Sequence, residues 1–249
     1  MGAVITFGPA LVVVLAVLAG AGALVVRYGG LGRGRAVVVA AVRAVVQLAL
    51  VSLVITAILR SGWLTGLFVL LMFGIAAVTS ARRIGGSRAA KVLPWVAVAI
   101  AAGVAPVLGL VLAAGVVPFR PIAVVPIAGI VIGGAMTATS QASRRALDEL
   151  KARHGEYEAA LALGFTPRPA ALEICRPSAG QALIPALDQT RTVGLVTLPG
   201  AYVGVLLGGA SPVQAGMTQV LVLIGLVAAE AVSVLVAVEL VAAGYVSRP

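Results

Sequence analysis

The chain has 249 residues, 61% of them hydrophobic and only 10% charged, with a mean hydropathy of +1.14. No soluble core of this length needs so much apolar surface, so composition selects a polytopic membrane protein. A net charge of +10 would suit nucleic acid in a soluble chain, but here the basic residues lie between apolar runs. One cysteine and one histidine exclude a disulfide framework and a His/Cys metal cluster.

Apolar runs of spanning length fall at about 4–26, 36–59, 62–80, 92–116, 121–142, 184–208 and 214–243, each near the ~20 residues a bilayer requires. The expectation is an all-α protein of seven transmembrane helices in one permease domain, 1–249. AGA at 21–23 imitates a signal-peptidase site, yet Arg27, Arg33 and Arg35 follow the first run instead of preceding it, so this run reads as an uncleaved span. The loops then alternate in basic content. Arg60 alone follows the second span and Arg120 alone the fourth, whereas Arg82, Arg83, Arg88 and Lys91 follow the third. Six more basic residues, from Arg144 to Arg176, follow the fifth, the GGASPV loop is uncharged, and Arg248 closes the chain. By the positive-inside rule the N-terminus is outside, the C-terminus is cytosolic, and the segment 143–182 between helices 5 and 6 is cytosolic.

Within the spans, Gly129-x-x-x-Gly133 and Gly200-x-x-x-Gly204-x-x-x-Gly208 place small residues on one helix face, a pattern that lets backbones approach closely. Pro126 and Pro199 free carbonyls inside helices 5 and 6. Arg43 and Gln47 are four apart on one face of helix 2, and a central arginine costs about 2.5–3.5 kcal/mol on insertion scales. Asp188 and Arg191 are spaced to pair with each other. Glu230 lies near the middle of helix 7, with Gln219 nearer the outside and Glu239 near the cytosolic end. Two readings of Glu230 stand: a buried ion pair with Arg43, or a carboxylate facing a translocation pathway. With Met136, the residues Arg43, Gln47, Gln219 and Glu230 are the candidate pathway.

In the segment 143–182, Asp148, Glu149, Glu156, Glu158 and Glu173 balance the basic residues, and only Tyr157 and Phe165 are aromatic. This is a solvated surface without the interleaved aromatics of a nucleic-acid site. Residues 155–177, GEYEAALALGFTPRPAALEICRP, carry Glu158-Ala159-Ala160, then Gly164, then Ile174-x-x-Pro177. Physically this reads as a helix ended by Gly164 in a left-handed turn and a second helix with Thr166 as N-cap and Pro167 at its first position. The order resembles the EAA loop of ABC-transporter permeases, in which such a motif docks on a cytosolic ATPase; Arg176 stands where that family has leucine. Glu158, Ala159, Ala160, Gly164, Thr166 and Pro167 are therefore the candidate ATPase-coupling residues. The chain has no GxxxxGK[ST] motif, so no cofactor is expected in it, ATP is expected in a partner subunit, and the chain itself is not expected to be an enzyme.

The runs PIAGIVIGGAM (126–136), EAALALGFTP (158–167), ALIPALDQTRTVGLVTLPG (182–200) and SPVQAGMTQ (211–219), with RAVVQL (43–48) in helix 2, resemble the FetB family of ABC permeases. That family is associated with bacterial iron export, and its plant relatives with aluminium tolerance. Gly134 departs from the family, which usually has asparagine there. The resemblance implies a homodimeric permease in the cell membrane that moves iron or another metal ion outward with a cytosolic ABC ATPase subunit. An EAA-type importer using an external binding protein is an alternative. So is a secondary transporter, although no inverted repeat is visible in the sequence. A membrane enzyme would need a nucleophile and base at useful spacing, and the spans offer none.

Overall fold

The computed structural model describes residues 8–58 and 61–247. The start of the expected first span, residue 59 of the second, Arg60 and Arg248 lie outside them. Regular structure among the described residues is helical, with one isolated β-bridge between Val193 and Thr197. The chain divides into two compact units, Met1–Ile58 and Leu59–Pro249.

The first unit is a hairpin of α1 (Pro9–Tyr28) and α2 (Gly34–Ile58). Its turn uses Gly30 and Gly32 at φ +70° and +68°, values that glycine adopts without steric cost. A Cβ on Gly34 would lie 2.7 Å from the Ala23 carbonyl, so the two backbones meet where α2 begins. Arg43 and Gln47 are exposed on α2 within this unit.

The second unit begins with α3 (Gly62–Gly85), a single 3-10 turn at Gly86–Arg88 and α4 (Ala89–Ala113). Gly86 at φ +52° makes the reversal, and the two helices then pack together. Next come α5 (Pro121–Ala152), α6 (His154–Ala162), α7 (Pro167–Gly180), a 3-10 turn, α8 (Ile184–Thr192), α9 (Gly200–Leu207) and α10 (Pro212–Ala242). Among the described residues, five stretches are long and apolar enough to cross a membrane: Pro9–Tyr28, Gly34–Leu53, Gly62–Ala113, Pro121–Ala152 and Pro212–Ala242. The third holds both α3 and α4. The protein is thus an all-helical polytopic membrane protein.

Two differences from the expected spans have local causes. The run 184–208 is not one helix: α8 stops at Thr192 and α9 starts at Gly200. Between them Val193, Val196 and Thr197 are β-branched and weak helix formers. Gly194 turns at φ +81° and donates its N–H to the Thr197 carbonyl at 2.9 Å. Pro199 lacks an N–H, disfavours a helical residue before it, and is itself extended as the N-cap of α9. The opposite happens after residue 142, where no breaker intervenes and α5 runs on to Ala152, so the segment 143–182 begins as helix.

The core lies where α10 packs against α5 and α4, with α3 on the far side of α5. Small residues alternate in it with branched ones: Ala128, Ala135, Ala138, Ala142 and Ala146 on α5, and Ala229, Ser233 and Ala237 on α10, are buried beside Val131, Ile132, Val234 and Val238. Without a hydrophobic force between helices in lipid, close van der Waals approach takes its place. The closest approach is at Gly103 of α4, where a Cβ would lie 2.1 Å from the Ala229 carbonyl oxygen and 2.3 Å from Ser233 Oγ. Within the chain the spaced glycines make few close contacts. A Cβ on Gly133, Gly200 or Gly204 meets nothing within 4 Å, and one on Gly129 meets only the mobile end of Met72 at 2.8 Å. Beyond α10, Tyr245 stacks on Trp95 with ring centroids 4.3 Å apart, fastening the C-terminal turn to the start of α4.

Candidate functional site

The elbow at 154–180 forms as its residues dictate. At the end of α6 the Phe165 N–H donates to the Ala160 carbonyl (3.1 Å) and the Gly164 N–H to the Leu161 carbonyl (3.0 Å). This is the Schellman pair of bonds, with Gly164 at φ +95° in the left-handed position that glycine favours. Thr166 holds the N-cap position and Pro167 the first position of α7, but the Thr166 hydroxyl makes no capping bond. Only its carbonyl does the work, accepting from the Ala170 N–H at 3.1 Å. Pro177 does not end α7, which continues to Gly180.

The two arms of the elbow differ in surroundings. α6 buries no residue; Glu158 and Ala159 are exposed and Ala160 is half-buried. Its charges are satisfied locally. His154 lies 3.3 Å from Glu158, and Arg153 forms a two-pronged pair with Glu156, whose carboxyl it holds below the usual carboxylate range. α7 instead buries Ala170, Ala171, Leu172, Ile174, Cys175 and Ala179 against α5 and α10. Cys175 is fully buried, its thiol donating weakly to the Ala146 carbonyl at 3.6 Å. Burial, helped by the nearby Glu149 carboxylate, pushes that thiol up to about 11.

α7 is also tied to α10 by charge. Arg168 Nε donates to Glu239 Oε2 at 3.0 Å, and Arg176 donates to Glu239 Oε1 at 3.3 Å. The sequence showed Arg176 only as a departure from a leucine position; what it reaches could not be read there, because Glu239 is 63 residues away. Asp188 and Arg191 pair as their spacing predicts, at 3.6 Å.

Deeper in α10, Glu230 is buried at 7% exposure, and no ion pair reaches it among the described residues. Its carboxylate faces Gly134 of α5, where a Cβ would lie 2.6 Å from Glu230 Oε1 and 2.2 Å from Leu226 Cδ1. The glycine is what leaves room for the carboxylate between two helices. Gln219 is also buried, with no hydrogen-bond partner for its Oε1 among the described residues; the same holds for the buried hydroxyls of Thr139, Ser143 and Ser233. Thr139 and Ser143 were legible in the sequence, where TATSQAS at 137–143 clusters hydroxyls on an apolar helix; Ser233 stands alone on α10. Met136 is half-buried beside them, its carbonyl accepting from the Ser140 hydroxyl at 2.8 Å; Ser140 also shares a 2.8 Å bond with Ser80 of α3. Among the described residues no three His, Cys, Asp or Glu side chains assemble as a metal-ligand set.

Comparison with known proteins gives one consistent result. Residues 9–246 match the profile of a family described as "Uncharacterised protein family (UPF0014)". The chain is 35% identical over 194 residues to "Protein ALUMINUM SENSITIVE 3" of Arabidopsis thaliana, covering 77% of this chain and 70% of that one. It is 31% identical over 197 residues to "Probable iron export permease protein FetB" of Escherichia coli, covering 78% and 75%. Identity to "UPF0014 membrane protein YjkA" of Bacillus subtilis is 31% over 198 residues, covering 79% and 78%. No solved structure matches.

Proposed function

Because the chain belongs to the UPF0014 family of membrane proteins, we propose that it is the permease subunit of an ABC transporter that exports iron or another metal cation, using ATP hydrolysed by a separate cytosolic subunit. The observation that carries this reading is the elbow. A polytopic bundle projects one helix, α6, that buries nothing, joined by a rigid glycine turn to a second, α7, embedded in the bundle. An exposed arm fixed to a buried one suits a lever worked from outside the membrane. The iron-export permease among the relatives supports the cargo and direction. In this reading the elbow is cytosolic, the N-terminus outside, and two copies form the working unit.

Glu230 is the candidate cation-attracting group of the pathway, with Gln219 and Met136 of the same unit. Ionisable residues inside membranes are costly and mark ion paths or pairs. The test reconstitutes the protein with its ATPase in vesicles loaded with ferrous or other divalent ions. ATP-dependent outward transport is expected, and Glu230→Gln is expected to hydrolyse ATP while moving no cation. Transport without any ATPase would overturn the proposal. If Glu230→Gln and Arg43→Gln each unfold early and the double variant recovers, the pair is a structural one and the pathway role fails.

A further inference from the structure

Glu239 and the two arginines that hold it break a local rule in a way that points to their use. Glu239 lies in the last turn of α10, where the helix dipole favours cations and disfavours a carboxylate. Arg168 lies in the first turn of α7, where the dipole favours anions and disfavours a guanidinium. Each charge is at the wrong end of its own helix, and each meets its opposite across the interface while staying partly in contact with solvent. Local preferences that conflict with the fold collect at functional positions. Arg176 adds a second bond from two turns further along α7, about 12 Å away along the axis. One carboxylate is therefore gripped from both ends of one helix face.

We infer that the Arg168–Glu239–Arg176 clamp is the transmission link by which α7 moves α10, with Glu239 as its positioning residue. The inference rests on the coupling role proposed above and says where the motion goes next. α7 is rigid with its apolar face seated on α5 and α10, so force on the elbow arrives as a shift or rotation of the whole helix. The buried face of α7 is apolar and, among the described residues, carries no directional bond to α10, whereas the two-pronged charge contact fixes α7 to the last turn of α10. From Glu239 the helix runs unbroken to Glu230, nine residues and about 13 Å deeper. There, Gly134 and Leu226 leave the carboxylate little freedom. A displacement of α10 against α5 thus changes what surrounds Glu230. Packed interfaces respond in discrete steps, so a small pull at the clamp is enough to switch the environment of the carboxylate.

The experiment uses the full chain reconstituted with its ATPase and reads cation moved per ATP hydrolysed, beside co-purification of the ATPase and thermal unfolding. Glu239→Gln is isosteric and removes a charge that its own helix disfavours, so the melting temperature is expected to stay within about 3 °C of wild type. The ATPase is expected to stay bound and active, while cation moved per ATP falls about tenfold. The charge-exchanged variant Arg168→Glu/Arg176→Glu/Glu239→Arg places the charges at 168 and 239 where their dipoles favour them. It is expected to restore most of the transport. A merely stabilising clamp would not lower the transport ratio in a folded protein, nor regain it on exchange. Wild-type transport per ATP in Glu239→Gln overturns the inference. So does release of the ATPase by that variant, because the clamp would then only shape the docking surface. A wild-type chain that takes up no ATPase at all sinks the proposed function, and this link with it.

Discussion

The seam of α4, α5 and α10 and the exposed arm α6 are both rich in alanine and glycine, yet the same residues do opposite things in them. In the seam, Gly103 and Gly134 are filled from across the interface, and an added methyl would enter a backbone carbonyl or a carboxylate. In α6, Gly155 meets nothing within 4 Å and no residue is buried. Small residues in the seam serve close packing, while in the arm they leave a surface free. Damage in the first region should therefore appear as lost folding. Damage in the second should appear as lost coupling in a folded protein.

The largest effect is expected from Gly103→Ala. A Cβ at 2.1 Å from the Ala229 carbonyl forces two helices apart, and overpacking of this kind costs about 3 kcal/mol. Gly155→Ala in the open arm should instead be neutral or gain up to about 1 kcal/mol of helix propensity. Thermal unfolding of both variants in detergent measures the contrast, and equal effects would break it. Next comes Gly164→Val at the elbow. A β-branched residue at φ +95° carries about 1–3 kcal/mol of backbone strain, but the position touches no core. The protein should insert and retain its bundle, while ATPase association or transport-linked hydrolysis drops about tenfold. Full coupled activity in this variant would make the elbow an ordinary surface feature.

The smallest effect sharpens the contrast between the two arms of the elbow themselves. Cys175 on α7 is sealed in, with its thiol raised to about 11, so maleimide should leave it unlabelled at neutral pH in either vesicle orientation. Reactivity should rise only as pH climbs towards that value, because the thiolate is the nucleophile. The exposed Lys151, as Lys151→Cys in a Cys175→Ser background, should react at once in inside-out vesicles and stay protected in right-side-out ones. Labelling from the outside alone would reverse the proposed orientation.

Much of this arrangement is local chemistry, and the sequence determined it. Membrane residence follows from the apolar runs, because no other solvent tolerates them. The elbow follows from Gly164 and Pro167, whose backbone preferences act within a few residues. The Asp188–Arg191 pair follows from helical spacing. What the tertiary structure decided was every contact between distant elements. Hydropathy could not show that 184–208 breaks, since a composition average is blind to where Gly194 and Pro199 fall. Glycine spacing named Gly129, Gly133, Gly200 and Gly204, whereas close approach is confined to glycines with a backbone or side chain opposite, above all Gly103 and Gly134. Arg176 looked like a departure until Glu239 was found beside it. Spacing along a chain fixes which face of a helix a residue occupies; only packing fixes what that face meets.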